Sequence, residues 1–477
     1  MKTSYLFCIA SAVAISFSTA RAEVPEEFQR YFRDSVFRFD YFHTGSKGEE
    51  RISADKMFEE GEWPGPVDNL IDTMNLGEYF FVMTDVAGNR TIYSRGYSSL
   101  FNEWQTTDEA LSGSYRTFHE SVRFPFPLRK FQLTILRRNK QMVFNEIYST
   151  IIDPKAMEIH REARRTDLNT VEILNNGEPH SKVDIAILGD GYTREEMAKF
   201  RKDAKHFTDV LFSTEPFKRR RKEFNVWAVE VESRNSGIDQ PDVNAWKDNT
   251  LGTTYNSFGS ARYILTDANK TVRDCAAAVP YDFLFILVNV NRYGGGGIFQ
   301  LYATCFAVGE TPATAWQADY VFVHEFGHSF AGLGDEYYSS SVAYNDFYVK
   351  GVEPWEPNIA AHGTHQTVKW NDLVKPETVT PTPWNKASYD SMEVERGKLR
   401  RDMPGYAEKR QRILDDERSV LDDQRFKGTV GAFEGAGYSS TGMFRPSLDC
   451  RMFSLSLTDF DPVCQRAINR MIDFYTK

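Results

Sequence analysis

The chain has 477 residues, is 41% hydrophobic and 26% charged, and carries a formal net charge of −10. That length exceeds what one hydrophobic core usually serves, so two or three domains are expected. The acidic balance argues against nucleic acid and anionic membrane surfaces as partners, and says nothing about fold.

The N-terminus reads "MKTSYLFCIASAVAISFSTARAEVPEEF". A lysine, a short apolar run and then Ala20-Arg21-Ala22 have the form of an export signal with an A-x-A cleavage site. The run is too short for a membrane span of about 20 residues. Residues 1–22 are therefore expected to be removed, and the mature chain to work in the periplasm or outside the cell. In an oxidising compartment the remaining cysteines can pair. Cys275–Cys305 and Cys450–Cys464 are the expected disulfides, with free buried thiols as the competing reading.

Residues 23–150 alternate aromatic and β-branched residues with short polar turns, which predicts an all-β, sandwich-like N-terminal domain. "EYFFVMTDVAGNRTIYSRGY" and "FQLTILRRNKQMVFNEIYS" each read as a pair of strands. His43 and His119 are lone histidines in this region and carry no catalytic pattern. Residues 151–182 read as a polar linker with a short helix. From Val183 the grammar changes. "VDIAILGDGY" is a buried strand, and Thr193 and Glu196 stand at capping-box spacing. Met197, Phe200, Ala204, Phe207 and Leu211 then recur at helical period. "FNVWAVEVES", "YDFLFILVNV" and "GIFQLYATCFAVG" add strands, so residues 183–477 are expected to form an α/β catalytic domain. "RYGGGG" lacks the Lys-Ser/Thr of a phosphate loop and reads as a flexible turn.

Thr311-Pro312 is a good helix start. Ala315, Ala318, Phe322, Phe326 and Phe330 follow as one apolar stripe. Off that stripe, "HEFGH" sets His324 and His328 one helical turn apart, with Glu325 rotated away between them. Two imidazoles so placed can share one metal ion while the glutamate reaches a water on it, the arrangement of two zinc ligands and a general base. A third ligand must follow the helix, and Gly332 or Gly334 can turn the chain back. Asp335 and Glu336 are both open for that role by spacing. Met452, in "FRPSLDCRMFSLSL", stands where a methionine turn beneath a metal would lie, or is core packing. Residues 392–424 are dense in charge, with Leu399, Tyr406, Ile413 and Val420 every seven residues. They predict a helical insertion, either a solvated hairpin or a docking arm.

"VDIAILGDGYT", "HEFGHSFAGLGDEY", "VGAFEGAGY" and "FRPSLDCRM", in this order, resemble the IgA-cleaving metallopeptidases, the igalysin branch of the metzincins. The resemblance runs from about Val183 to the C-terminus. It implies an α+β protein, with a metzincin-like α/β catalytic domain preceded by the sandwich-like domain. It also implies a zinc endopeptidase with ligands His324, His328 and Asp335 and with Glu325 catalytic. Asp335 is further favoured over Glu336 because it directly follows the Gly334 turn. Tyr438, in "EGAGY", is a candidate for stabilising the oxyanion, beside its reading as a packed tyrosine. The expected substrate is a protein or peptide, with immunoglobulin A or another host or dietary protein as candidates. The competing functions are an exported metal-dependent amidase or deacetylase acting on cell-wall or glycan substrates, and a binding protein with an inactive metal site.

Overall fold

The computed structural model describes residues 25–162, 167–307, 312–338, 347–400, 403–456 and 458–477. The expected export signal lies outside them. Among the described residues no helix is long and apolar enough to cross a membrane.

The first part of the chain is β-rich. It contains β1 (Phe32–Ser46), β2 (Glu49–Glu59), β3 (Tyr79–Asp85), β4 (Arg90–Tyr97), β5 (Arg116–Pro127), β6 (Phe131–Arg138), β7 (Phe144–Ile152) and β8 (Ile159–His160). They form two four-stranded sheets, ordered β5-β1-β2-β8 and β4-β3-β6-β7. Alternation along β3 and β6 sends Phe81, Met83, Leu133 and Ile135 inward to meet Phe37, Phe39 and Phe124 of the other sheet. Across that seam the rings of Phe81 and Phe124 lie 6.0 Å apart, and those of Phe37 and Phe131 lie 5.8 Å apart. Both lone histidines are paired. His43 is buried between Glu120, at 3.0 Å, and Glu50, at 2.9 Å. His119 meets Asp55 at 3.3 Å and accepts from Asn269 of the second part of the chain.

The second part is built on a six-stranded sheet. Its strands are β9 (Thr170–Leu174), β10 (Val183–Asp190), β11 (Phe224–Val229), β12 (Phe283–Val288), β13 (Gly295–Ile298) and β14 (Tyr302–Phe306), in the order β13-β14-β12-β10-β11-β9. The central pairs are parallel, and β9 and β13 are antiparallel edges. Parallel strands covered on both faces read as continuous apolar runs, and every residue of β10 and β12 is buried. The helix Met197–Leu211 begins after the anticipated Thr193–Glu196 capping box and buries its apolar stripe. On the same core lies the histidine helix, Pro312–Ala331, where the ring of Phe322 stacks at 4.0 Å on that of Phe285. A two-stranded hairpin, β15 (Phe433–Ala436) and β16 (Ser439–Arg445), and the terminal helix Pro462–Thr476 complete the fold.

Three expectations are revised. Residues 151–182 hold no helix longer than the short turn Pro179–Ser181 among those described; instead they supply β8 and β9, an edge of each part's sheet. "RYGGGG" runs into β13, an edge strand beside the histidine helix. No disulfide joins the four cysteines of the described chain, so neither expected bond is formed. Cys450 and Cys464 are neighbours, but their Sγ atoms are 3.9 Å apart against about 2.05 Å for a bond. Cys305 directs its thiol to the backbone carbonyls of Phe306 and Ala318.

The two parts are not joined by a flexible tether alone. Arg38 is fully buried and binds Asp40 of its own strand, Glu60 just past β2 and, at 2.7 Å, Asp274 of the second part. Arg123 donates to the Tyr281 carbonyl at 2.9 Å, and Leu100, Phe101 and Trp104 join the apolar core of the second part.

Candidate active site

The histidine helix ends because Gly332 adopts a left-handed φ of +62°. Its N–H donates to the His328 carbonyl at 3.0 Å, and the Leu333 N–H reaches back to Gly327 at 3.4 Å. A Cβ at Gly332 would stand 2.8 Å from the Trp355 ring. The reversal brings Asp335 over the last turns of the helix. Its Oδ1 lies 3.1 Å from His324 Nε2 and 3.2 Å from His328 Nε2, and the two Nε2 atoms are 3.1 Å apart. Such a triangle has the edges expected of three ligands sharing one ion at about 2.0–2.1 Å.

The chemistry of these donors fits a divalent metal. His324 Nδ1 donates to the Arg451 carbonyl at 3.1 Å, and His328 Nδ1 to the Leu333 carbonyl at 2.5 Å. A carbonyl can only accept, so each Nδ1 carries a proton, which leaves each Nε2 as the nitrogen available to a metal. Asp335 Oδ1 is buried with no partner other than the two imidazole nitrogens, a setting in which a carboxylate calls for positive charge between them. Its other oxygen accepts from the Tyr438 hydroxyl at 2.5 Å. Glu336 points the other way, into the core, where it accepts from Asn358 at 2.9 Å. Glu325 lines the cleft, its carboxylate within 4.8 Å of both imidazoles. Burial raises its carboxyl above the usual range, and His324, His328 and Arg262 pull it back only in part.

Tyr438 occupies the turn between β15 and β16, where Gly437 (φ +54°) and Tyr438 (φ +62°) both have left-handed backbones. The turn is held to the ligand loop by Gly437 N–H to Asp335 O and Tyr438 N–H to Tyr337 O, each at 3.0 Å. Tyr438, a candidate for the oxyanion beside its reading as a packed tyrosine, directs its hydroxyl to Asp335. Met452 is buried beneath the helix, and a Cβ on Gly327 would sit 3.3 Å from its Sδ.

The cleft above these residues measures about 830 Å³. One wall is β13 with Arg262 and Tyr263, and the floor is the histidine helix. The opposite wall holds the charged segment 392–424, where helices Lys386–Gly397 and Tyr406–Leu421 pack together and bring Tyr389, Arg396, Arg410, Glu417 and Arg418 to the cleft. This charged segment therefore shapes the cleft instead of standing clear in solvent.

A model of the family described as IgA Peptidase M64 matches residues 171–472, more than half of the chain. The chain belongs to the IgA peptidase M64 family. A model of the Peptidase M64 N-terminus matches residues 27–149, within the β-rich part. No curated protein matches the chain. Membership of the M64 family makes the chain a peptidase, with proteins or peptides as its substrate class.

Several residues around the M64 site escaped the sequence reading. Tyr320 donates to the Arg451 carbonyl at 2.9 Å and stacks on His324. Its place one turn before His324 was the available signal. Arg262 reaches Tyr337 Oη at 3.5 Å and sits near Glu325 and Asp335, with no local motif to mark it. The Gly295–Gly297 run was visible but misread. A Cβ at Gly297 would lie 2.3 Å from the Glu325 carbonyl oxygen, so glycine lets β13 press against the histidine helix.

Proposed function

We propose that the protein is an exported, zinc-dependent endopeptidase of metzincin-like build, with His324, His328 and Asp335 as metal ligands and Glu325 as the proton-transfer residue. The observation that carries this reading is the triangle of two Nε2 atoms and one carboxylate oxygen beside Glu325 on the floor of an open cleft. Two imidazoles and a carboxylate are a donor set of catalytic zinc sites, which keep a further position open. The methionine packed under Gly327 supports the metzincin-like assignment. The N-terminal A-x-A pattern supports export.

Zinc in that site supplies Lewis-acid polarisation of the scissile carbonyl and makes a water acidic near neutral pH. Glu325 takes the proton of the attacking water on its carboxylate and passes it to the leaving amine nitrogen. A carboxyl raised by burial suits a group that must both accept and release that proton. Arg262, always charged, is placed with Tyr337 to hold a substrate carbonyl oxygen. Tyr438 acts on the ligand, holding Asp335 so that Oδ1 faces the histidines.

The test is digestion of unfolded proteins, mixed peptides and immunoglobulin A by the purified chain, with acetylated glycans as a control. Internal peptide-bond cleavage that is lost to a chelator and restored by zinc is expected. Release of acetyl groups with every peptide left intact would overturn the reading in favour of a deacetylase.

A further inference from the structure

Asp335 and Glu336 are adjacent but serve different surroundings. Behind the proposed catalytic ligands, Glu336 enters a pocket in the core with Cys450, Asp461 and Cys464. All four side chains are buried, and one potential ligand atom from each lies within 4.8 Å of all the others. The Cys464 Sγ stands 3.9 Å from Cys450 Sγ, 3.3 Å from Glu336 Oε1 and 3.6 Å from Asp461 Oδ2. Two thiolates bound to one zinc at about 2.3 Å each are separated by about 3.8 Å in a tetrahedral site.

Two independent observations indicate that something positive belongs among these groups. Glu336 is 0% exposed, its Oε2 meets no donor, and the Asp461 carboxyl faces it, so the pair must share either a proton or a cation. A buried carboxylate left so is costly unless a cation or a proton reaches it. The nearby Arg445 attracts Glu336 but makes no hydrogen bond to it, its guanidinium donating instead to the carbonyls of Gly435 and Leu448. In addition, two backbone amides aim at Cys450 Sγ, from Met452 at 3.5 Å and Asp461 at 3.4 Å. Burial pushes both thiols up, and amides directed at sulfur and a helix N-terminus act against that push. Cys464 lies in the first turn of the terminal helix, whose Val463 and Cys464 amides also donate to Asp461 Oδ1.

We propose that Glu336, Cys450, Asp461 and Cys464 form a second, closed metal site that binds zinc in a structural role. Two sulfurs and two oxygens suit this borderline-soft ion, and four protein ligands leave no open position. The excess negative charge is offset by the amides, the Asn358 side chain and the helix terminus. The site would fasten the Asp335–Glu336 peptide to the segment that carries Arg451, the acceptor for His324, and Met452, whose carbonyl accepts from the Glu336 N–H at 2.9 Å. Its existence does not depend on the peptidase reading.

The experiment is metal analysis of the full chain purified with zinc and without chelators, alongside Cys464→Ser, Glu336→Gln and His328→Ala. Two zinc ions per chain are expected, with one lost in each variant. Cobalt loading of the unmutated chain provides a reading that needs no variant to fold. The proposed catalytic ligands include no sulfur, so a strong near-ultraviolet thiolate-to-cobalt absorption belongs to this site alone. Absence of that absorption, or a Cys450–Cys464 disulfide in peptides mapped without reduction, would overturn the proposal. Failure of the catalytic reading would instead remove the ion lost in His328→Ala and leave the cobalt–sulfur absorption in place.

Discussion

In the proposed mechanism Asp335, Glu325 and Tyr438 divide three tasks: holding the metal, moving the proton and aiming the ligand. Glu325 does not contact the ligand atoms directly, so Glu325→Gln is expected to keep the metal and the fold. Turnover should fall by about 10²–10⁴-fold, the usual contribution of a general acid–base group. A metal-loaded variant with full turnover would remove Glu325 from the mechanism. Tyr438→Phe tests a different link. Tyr438 tolerates a left-handed backbone that costs a non-glycine residue roughly 1–2 kcal/mol, and its hydroxyl reaches Asp335 at 2.5 Å. Loss of that hydroxyl should weaken metal binding about 10–100-fold, as removing the partner of a metal ligand commonly does. Competition against a chelator of known affinity measures this. Unchanged metal affinity with a selective fall in turnover would return Tyr438 to the oxyanion role.

At the scale of elements, the site depends on one strand and one helix approaching unusually closely. β13 can lie against the histidine helix because Gly295 and Gly297 have no side chains; Cβ atoms there would sit 2.6 Å from Val321 Cγ1 and 2.3 Å from the Glu325 carbonyl oxygen. The second of these contacts is with backbone, which cannot swing aside. Gly297→Ala is therefore expected to push β13 from the helix, destabilising the chain by about 1–3 kcal/mol, as overpacking does. Activity should fall further than the loss of folded protein explains, since His328 Cβ is also only 3.0 Å from the added methyl. Urea unfolding and activity per folded molecule, measured on the same sample, separate the two effects. Wild-type values in both would show that β13 has room to move. The charged insertion makes a related point. Its heptad residue Ile413 is buried, but so is Glu417, which binds Arg396 at 3.0 Å across the two helices. Charge on this hairpin is thus partly internal and partly turned to the cleft, while Arg412 and Asp416 face solvent.

For the whole molecule, the seam between the β-rich layer and the larger sheet stores charge that responds to pH. Asp184 on β10 is fully buried, and burial pushes its carboxyl up to about 7, against the hydrogen bond from Asn225. Its neighbour Asp282 is raised as well, by burial and by Asp184, with Arg123 and Arg95 of the β-rich layer acting in opposition. A carboxyl that binds its proton more tightly when folded stabilises the fold below its unfolded value of about 3.9, and that contribution is lost as pH rises through about 7. The slope from one such group is at most about 1.4 kcal/mol per pH unit. Asp184→Asn keeps an acceptor for Asn225 and removes the titration. Urea midpoints measured between about pH 4 and 8 should fall more steeply for the parent chain than for the variant. Parallel curves would show that Asp184 does not titrate in this window.

Local periodicity carried the sequence reading as far as neighbouring residues control the outcome. The helix bearing His324, Glu325 and His328, the stripe from Met197 to Leu211, the buried runs of β10 to β12 and the strand pairs of the β-rich layer all follow from spacing that one element imposes on itself. The family resemblance rested on the same short motifs, and the M64 match agrees with it. What spacing left open were choices between side chains whose partners lie far along the chain. Asp335 and Glu336 differ by one position, and only the loop's path over Met452 and the Gly437–Tyr438 turn decides which one faces the histidines. Cys450 and Cys464 were near enough in sequence to suggest a bond, but their geometry depends on how the terminal helix docks beside Glu336. The glycines of β13 looked like a turn because the helix that requires them begins beyond the next strand. Periodicity records which face of an element is buried; which residue it is buried against is decided by tertiary packing.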